Sequence, residues 1–418
     1  MNKSSYIQWL GNIPDGWEVV SVKKFLKISD RRKGDDNLQL LSVYREYGVI
    51  PKDSRDDNHN VESSDLSNYK YVGKGYLVMN KMKMWQGSLG VSDYEGIVSP
   101  AYIVCEIIKN DFLDNKFLNY LLRCDLIKPF YNSISYGIRV GQWDLKYDDF
   151  KKLSLPLPPL SVQRRISSYL DEKTELINRL IETRTAQIDK LKQYRAAVVS
   201  SAVTKGLNPN RKMKNSNIQW IGDIPEDWKV VRFANICETK SIIDCCDEEL
   251  LSVYLDKGVI RFSDDNNKRT NPTSKDLSKY QLVEYGDFVL NNQQAWRGSV
   301  GVSKFRGIIS PAYFVFKISS KIDSEFANLM FRSKPYVTYY EICSKGVGSI
   351  QRNLDWEQLK QKYIYIPPLS EQRSIVSYLD KKVSEINNLI KTYEDEIEKM
   401  KNYKNSLVSA VVTGQIAV

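Results

Sequence analysis

Pro158-Pro159-Leu160-Ser161 separates two unlike stretches of this sequence, and Pro367-Pro368-Leu369-Ser370 repeats the motif 209 residues later. The stretch before each motif, about 150 residues, is rich in β-branched and aromatic positions and in glycine and proline, which is typical of short strands and turns. The stretch after each motif has a helical apolar period. Proline blocks a helix before it and serine is a good N-cap, so we expect a long helix to begin at each serine.

The part before each motif is itself repeated. Leu40-Leu41-Ser42-Val43-Tyr44 returns as Leu250-Leu251-Ser252-Val253-Tyr254, and Gly96-Ile97-Val98-Ser99-Pro100-Ala101-Tyr102 returns as Gly307-Ile308-Ile309-Ser310-Pro311-Ala312-Tyr313. Residues 76–79 and 287–290 are predicted strands, and residues 117–122 and 326–331 are predicted short helices. The predicted fold class is therefore α+β, with two tandem mixed α/β domains, each followed by a long helix. The predicted segments are 1–157, 158–205, 206–366 and 367–418.

The second helix carries a regular apolar seam in steps of three and four, interrupted only by Lys404; its members are Val376, Leu379, Val383, Ile386, Ile390, Tyr393, Ile397, Met400, Leu407 and Val411. The first helix has a weaker seam, in which Ser167, Thr174, Arg184 and Arg195 do not fit. A helix of about 44 residues is roughly 65 Å long and needs a partner for one apolar stripe. We expect the two helices to pair as an antiparallel coiled coil, because the linker after residue 205 is short.

Composition favours an acidic partner. The chain has 418 residues, a formal net charge of +10 and 42% hydrophobic residues, and nucleic acid is the commonest partner of a basic folded protein. A soluble basic protein without such a partner is the alternative. No apolar run is long enough to span a membrane, and six scattered cysteines do not form a disulfide framework. We therefore expect a cytoplasmic protein.

Catalytic motifs are absent from the sequence. The single histidine, His59, lies in a polar stretch that we interpret as a surface loop. There is no CxxC pair, no HExxH and no GxxxxGK[ST], so neither a zinc site nor a P-loop is expected. The Asn-Pro-Pro-aromatic tetrapeptide of amino-methyltransferases is also missing. The sequence indicates a binding protein that is not itself an enzyme and holds no metal or cofactor.

Two loops keep a frame in both copies while their polar residues change. The first, which we call the Trp loop, runs Asn80-Lys81-Met82-Lys83-Met84-Trp85-Gln86-Gly87 in one copy and Asn291-Asn292-Gln293-Gln294-Ala295-Trp296-Arg297-Gly298 in the other. Lysine, arginine, asparagine and glutamine are the side chains that read base edges. We therefore predict DNA contacts from Lys81, Lys83, Gln86, Asn292, Gln293, Gln294 and Arg297. A surface loop that drifts freely is the alternative.

The second loop pairs residues 137–145 with residues 346–354. Glycine, glutamine and leucine persist there, and glycine lets a backbone approach a phosphate or base closely. From this loop we predict DNA contacts by Arg139, Gln142, Gln351 and Arg352. Arg31-Arg32-Lys33-Gly34 occurs only in the first copy and could equally contact phosphate or be a solvated charge run. Ser-Pro-Ala-Tyr and Trp-x-Gly-Ser-x-Gly are identical in both copies, and we interpret them as scaffold.

The repeated order of these motifs resembles the specificity subunit of bacterial type I restriction-modification systems. The resemblance covers the whole chain and rests on Pro-Pro-Leu-Ser-x-Gln-Arg at residues 158–164 and 367–373, and on the Trp-loop and Ser-Pro-Ala-Tyr segments. The second copy has Gln293 where the family pattern has methionine.

The resemblance implies a non-catalytic subunit with two target-recognition domains. Each domain reads one half of a split sequence in double-stranded DNA, and the helices act as a ruler between the halves. Two methyltransferase subunits dock on it and two restriction subunits, which are motor-nucleases, can join; the methyl donor and ATP belong to those partners. The alternatives from other classes are a coiled-coil scaffold and an enzyme with fused methyltransferase or nuclease activity. A specificity subunit serving another enzyme architecture is a related alternative.

Overall fold

The structure is a computed structural model of the chain, and it describes residues 6–7, 9–32, 38–55, 65–108, 111–139, 142–264, 276–347 and 351–418. His59, Lys33 and Gly34 lie outside the described residues. The chain divides into two compact units. Unit 1 comprises residues 1–185 and 395–418, and unit 2 comprises residues 186–394.

Unit 1 begins with an α/β domain of short strands and helices. Its strands are β1 Tyr6–Ile7, β2 Gly11–Asn12, β3 Glu18–Ser21, β4 Leu26–Ile28, β5 Leu41–Tyr44, β6 Gly48–Pro51, β7 Lys70–Val72, β8 Leu77–Asn80, β9 Leu89–Val91, β10 Gly96–Val98, β11 Tyr102–Ile107, β12 Ser135–Arg139, β13 Gln142–Leu145 and β14 Ser154–Leu157. Its helices are α1 Asn115–Arg123, α2 Lys128–Ser133, α3 Tyr147–Phe150 and the start of α4 Leu160–Lys205.

Unit 2 repeats this order. Its strands are β15 Met213–Asn215, β16 Asp223–Pro225, β17 Lys229–Arg232, β18 Cys237–Lys240, β19 Leu251–Tyr254, β20 Gly258–Arg261, β21 Gln281–Val283, β22 Phe288–Asn291, β23 Val300–Val302, β24 Gly307–Ile309, β25 Tyr313–Ile318, β26 Ser344–Val347, β27 Gln351–Leu354 and β28 Tyr363–Ile366. Its helices are α5 Ser324–Arg332, α6 Lys334–Ile342, α7 Trp356–Leu359 and α8 Leu369–Val412, whose last residues belong to unit 1.

Each α/β domain is built on one four-stranded antiparallel sheet. The order is β4-β11-β8-β9 in unit 1 and β18-β25-β22-β23 in unit 2. Antiparallel pairs surround each sheet, including the hairpins β5–β6 and β12–β13 and their repeats β19–β20 and β26–β27. The shared glycine of the Ser-Pro-Ala-Tyr segment is explained by packing, since a Cβ on Gly96 or Gly307 would lie 2.3 Å from a backbone carbonyl oxygen. This packing accounts for the glycine that precedes Ser-Pro-Ala-Tyr in both copies.

The core of each unit joins an α/β domain to parts of both long helices. In unit 1 the core includes Ile166 and Leu170 near the start of α4, and Leu407 and Val411 near the end of α8. In unit 2 it includes Val203 from the end of α4 and Leu379 from the start of α8. Each domain therefore packs against the start of one helix and the end of the other.

Contacts within each unit establish that the helices are antiparallel. In unit 1, Asn178 accepts a hydrogen bond from Lys404 over 2.9 Å, and Arg184 pairs with Glu396 over 2.8 Å. In unit 2, Arg195 bonds Asn387. As residue number rises along α4, its partner in α8 falls, which confirms the predicted antiparallel coiled coil.

The polar residues in the first seam have partners. Besides the contacts of Arg184 and Arg195, Ser167 donates to the Asp114 carboxylate over 2.6 Å, and the hydroxyls of Thr174 and Tyr120 are 3.2 Å apart. The predicted seam of α8 is buried or half-buried along its length. Arg184 and Arg195 therefore make polar contacts with α8 in the first seam, whereas Ser167 and Thr174 contact the domain that precedes α4.

The prediction that the serines are N-caps is wrong. The helices begin one residue earlier, at Leu160 and Leu369, because the carbonyl oxygens of Pro159 and Pro368 accept the first helical hydrogen bonds, from the amides of Gln163 and Gln372. The serines lie inside the first turn.

No helix in the described part of the chain is long and apolar enough to cross a membrane.

The glutamine of the repeated motif is a clamp between domain and helix. The Gln163 side chain is fully buried; its Nε2 donates to the carbonyls of Phe112 and Pro158, and its Oε1 accepts from the amide of Asp114 over 2.9 Å. Gln372 makes the same three contacts in unit 2, with Lys321, Pro367 and Asp323. Because every polar atom of each amide is satisfied, the motif has a structural reason to contain glutamine.

Candidate DNA interface

The Trp loop of unit 1 follows strand β8 and has a rigid frame. The Asn80 side chain accepts from the amide of Met82, residues Met84–Gln86 form a 3₁₀ helix, and Gly87 closes the loop at φ +83°, a conformation that favours glycine. Met84 is fully buried, whereas Met82 and Lys83 are exposed. The frame thus anchors one side of the loop and turns the other towards solvent.

The hairpin β12–β13 packs against this loop. The amide of Leu145 donates to the carbonyl of Lys81 over 3.0 Å, the Lys81 ammonium pairs with Asp144 over 2.8 Å, and the rings of Trp85 and Trp143 are 5.1 Å apart. The two loops predicted independently from the sequence therefore form one surface. Arg139 and Gln142 lie in these strands, at paired positions, but their side chains are outside the described residues.

Unit 2 brings its two loops together in the same way. The amide of Leu354 donates to the Asn292 side chain over 2.9 Å, and the Arg352 guanidinium lies over the Trp296 ring, 4.5 Å from its centroid. Arg352 occupies the position of Trp143, so a cation–π contact replaces a ring–ring contact. Gln351 lies in β27, with its side chain outside the described residues.

The predicted residues of the second Trp loop differ in how they are held. Asn292 is engaged with the hairpin backbone, whereas the side chains of Gln293 and Arg297 are exposed. The indole nitrogen of Trp296 donates to the carbonyl of Gln293, and the Arg297 guanidinium lies 5.4 Å from the Trp296 ring. Gln294 is half-buried. Exposed side chains on a fixed backbone are suited to reading a surface, while Asn292 has a structural role.

A third element, missed by the sequence analysis, joins each interface. The turn between β5 and β6 lies beside the first Trp loop, and Arg45 in this turn donates to the Gln86 side chain over 2.8 Å. The sequence does carry a signal for this turn. Residues 45–47 differ from residues 255–257, although each triplet lies between the same Leu-Leu-Ser-Val-Tyr segment and a shared glycine.

A half-buried arginine fixes this turn in each unit. Arg123, in the last turn of α1, donates to the carbonyls of Arg45 and Glu46, and Arg332 of α5 donates to those of Leu255 and Asp256. Burial lowers the pKa of both guanidiniums, although arginine stays protonated at any physiological pH.

The basic segment that occurs only in the first copy is partly held by its own domain. The Arg31 guanidinium lies 3.9 Å from the centre of the Tyr71 ring, and Arg32 donates to the carbonyl of Asn68 over 2.7 Å. These contacts position both cations on the domain surface. Within the described residues, no three His, Cys, Asp or Glu side chains are grouped as metal ligands.

Comparison with known proteins gives the family. The model of the type I restriction modification DNA specificity domain matches residues 14–190 and again residues 225–399. Together the two matches cover most of the chain. Each match spans one α/β domain and most of the helix that follows it. The chain belongs to the family of type I restriction-modification specificity subunits.

Curated relatives span nearly the whole chain. The type I restriction enzyme MjaVIII specificity subunit of Methanocaldococcus jannaschii is 26% identical over 97% of this chain and 94% of its own length. The putative MjaX specificity subunit of the same organism is 25% identical over 98% and 96%. The EcoDI specificity subunit of Escherichia coli is 20% identical over 97% and 90%.

Solved structures share the fold. A chain from a study of complex assembly and conformational transition of the type I restriction-modification system has a TM-score of 0.67 and 16% identity, with 97% of this chain and all of that chain covered. The HsdS subunit of Thermoanaerobacter tengcongensis has a TM-score of 0.53 and 16% identity, with both chains fully covered.

Proposed function

We propose that this chain reads a split sequence in double-stranded DNA, with one half read by each unit. The observation that carries the proposal is the comparison of the two interfaces. Each has the same backbone frame of Trp loop, hairpin and turn, yet the side chains that the frame presents differ, as Lys83 and Gln86 do from Gln294 and Arg297. A shared frame with exchanged Lys, Arg, Asn and Gln suits two surfaces that read different bases.

The proposed contacts divide by how each side chain is held. Lys83, Gln293 and Arg297 are exposed on the loops and are proposed to contact bases directly. Lys81 must exchange its ion pair with Asp144 for any contact with DNA, so its contribution would be offset by that loss. Gln86 is oriented by Arg45, the Gln294 side chain is half-buried in the second Trp loop, and the Arg352 guanidinium lies over the Trp296 ring. Arg139, Gln142 and Gln351 stay predicted contacts from the hairpins.

We further propose that the chain is not itself an enzyme and directs partner subunits to the DNA. Two methyltransferase subunits and two restriction subunits, which bring the methyl donor and ATP, would assemble on it. The paired helices support a docking role, because Leu176 and Leu180 lie one turn apart on α4 and are 52% and 48% exposed. Large apolar side chains outside the seam are suited to a protein partner.

The test is to select binding sites for the full-length chain from randomised duplex DNA. The expected result is a split motif with two specific parts and an unspecific spacer. Exchanging residues 1–155 for the same segment of a relative should then change one part only. A change in both parts would contradict separate reading by the two units. A continuous motif, or none, would contradict the proposed function.

The non-catalytic role and the docking role have separate tests. The purified chain should neither methylate DNA with S-adenosylmethionine nor cleave it with Mg²⁺ and ATP; turnover by a pure preparation would favour the fused enzyme. Replacing Leu176 and Leu180 with Asp should abolish co-purification of the methyltransferase subunit while DNA selection by the chain is unchanged. Undiminished co-purification would place docking elsewhere.

A further inference from the structure

The backbone around the β5–β6 turn is fixed in the same way in both units. In unit 1 the Ser88 hydroxyl donates to the carbonyl of Val43 over 3.1 Å, and in unit 2 Ser299 donates to that of Val253 over 3.0 Å. Gly90 packs on Gly48 so closely that an added Cβ would lie 3.0 Å from its Cα, and Gly301 packs on Gly258 in the same way.

These contacts join each turn to the Trp loop and the strand that follows it. With the half-buried Arg123 or Arg332 bonded to the turn carbonyls, each turn is held from two sides. The position of the turn beside the Trp loop is therefore a shared feature of the two interfaces.

The side chains at this junction are exchanged between the units. In unit 1 the turn supplies Arg45 and the Trp loop supplies Gln86. At the same repeat positions, unit 2 has Leu255 in the turn and Arg297 in the loop, and both line one cavity of about 730 Å³. Besides the helix arginine that holds the turn, each junction thus has one guanidinium from the turn or the Trp loop, but a different one of these two elements supplies it.

The contact in unit 1 fixes the orientation of the glutamine amide. A guanidinium has only donors, so the atom that faces Arg45 must be the Oε1 of Gln86. The Nε2 group of Gln86 is left to donate, together with the remaining N–H groups of Arg45. A lone glutamine pairs with adenine through both ends of its amide, whereas a guanidinium pairs with the two acceptors of guanine.

We infer that Arg45 is a specificity-determining residue for the first half-site, acting with Gln86 as one donor surface that selects guanine over adenine at one base pair. Arg297 does the same in the second half-site from the Trp loop. This inference rests on the proposed function, because it requires that the junction faces bases.

The test uses the full-length chain and sites selected from randomised duplex DNA. Arg45→Leu copies the residue of unit 2 and should lower the preference for guanine at one base pair of the first part by roughly 5- to 150-fold. Because Gln86 is then free to use both amide ends, adenine should rise at that position. The second part of the motif should not change. Lys152→Leu, which removes an exposed ion-paired cation of the same domain, is the control for net charge.

A rescue in unit 2 tests the exchange itself. Arg297→Gln should lose the guanine preference in the second part, and Arg297→Gln with Leu255→Arg should restore it, since the turn then supplies the guanidinium. Failure of the double variant to restore guanine would overturn the claim that the two positions are equivalent.

The other outcomes separate this inference from the proposed function. If the wild-type chain selects a split motif and Gln86→Leu changes it while Arg45→Leu does not, Arg45 has no reading role and the proposed function stands. If Arg45→Leu weakens binding equally for all sequences and reduces the salt slope by about one, Arg45 contacts phosphate and the inference is overturned. If the wild-type chain selects no motif, the proposed function itself fails.

Discussion

Lys404 of helix α8 donates to Asn178 of helix α4 over 2.9 Å in unit 1, and Arg195 and Asn387 make the corresponding contact in unit 2. Arg195 and Asn178 precede Lys404 and Asn387 by the same 209 residues, so each helix supplies the cation once and the amide once. The internal repeat thus extends from the recognition domains to the pairing of the helices. Polar residues within an apolar seam select one register at some loss of stability.

Replacing Lys404 with Leu should raise stability at neutral pH. Burial lowers the pKa of the Lys404 ammonium, so the unfolded chain holds this proton more tightly than the folded chain, and folding is penalised at pH 7. The penalty is relieved as pH rises through the folded pKa towards the ordinary value for lysine. We expect a gain of about 0.5–2 kcal/mol at pH 7 that shrinks towards pH 10.

Thermal unfolding of the variant and wild-type proteins at several pH values measures this effect. Lys399→Leu, at an exposed position of the same helix, is the matched control. A loss of stability at pH 7, or a gain that grows with pH, would count against a destabilising, half-buried lysine in the seam.

Ile390→Asp should unfold or severely weaken unit 2. Ile390 is 7% exposed in the seam of α8, and a buried, unpaired carboxylate destabilises by about 3–5 kcal/mol. The neighbouring Leu389 is 39% exposed, so Leu389→Asp should change stability by about 0.5 kcal/mol or less. Chemical denaturation followed by circular dichroism compares the two. Equal effects at both positions would show that Ile390 is not a seam residue.

Gln163→Ala should destabilise unit 1 through unsatisfied backbone groups. The substitution removes the partners of two carbonyls and one amide at the junction of domain and helix, which we expect to cost about 2–4 kcal/mol. Gln193→Ala, at an exposed position of the same helix, should be nearly neutral. The free energy of unfolding decides between them, and a neutral Gln163→Ala would mean that the clamp is dispensable.

Asn292→Ala should loosen the hairpin β26–β27 in unit 2, because the amide of Leu354 loses the shorter of its two hydrogen bonds and keeps only the one to the backbone carbonyl of Asn292, at 3.2 Å. A lost hydrogen bond is worth about 1 kcal/mol, so with the backbone acceptor retained the hydrogen exchange of the Leu354 amide should be faster by up to roughly fivefold. Asn292→Asp keeps an acceptor oxygen and should restore slow exchange, while Gln293→Ala should have no effect. Unchanged exchange in Asn292→Ala would remove the structural role of Asn292.

Local patterns in the sequence predicted the regular parts of this fold. The apolar period of α8 predicts its seam. The Asn, Trp and Gly shared by the two Trp loops predict a common loop structure. Both predictions rest on local properties of the sequence, namely periodicity and turn residues. The prediction that the serines are N-caps is wrong, because the carbonyl oxygens of Pro159 and Pro368 already accept the first helical hydrogen bonds. In α4 the polar residues were interpreted as misfits, because their partners, such as Glu396 for Arg184, lie on a distant segment.

The candidate site could be predicted only in pieces. Its residues were found by comparing the copies, but the contact of Lys81 with Leu145 and that of Arg45 with Gln86 join segments that no short-range pattern connects. From the sequence, all the exchanged polar side chains of the two loops are predicted to contact DNA. The structure separates Asn292, which holds the hairpin, from the exposed Arg297.

The most direct test of the account is the binding of Arg297→Ala to a set of single-base variants of the selected motif at two salt concentrations. We predict that discrimination at one base pair of the second part falls by roughly ten- to a hundred-fold, with the first part unchanged, because a bidentate base contact is worth about 1–3 kcal/mol. An equal loss for all variants, with a salt slope smaller by about one, would reveal a phosphate contact instead. If both specificity and salt slope stay as in the wild type, the Trp loop is scaffold and the proposed reading of DNA by these loops is contradicted.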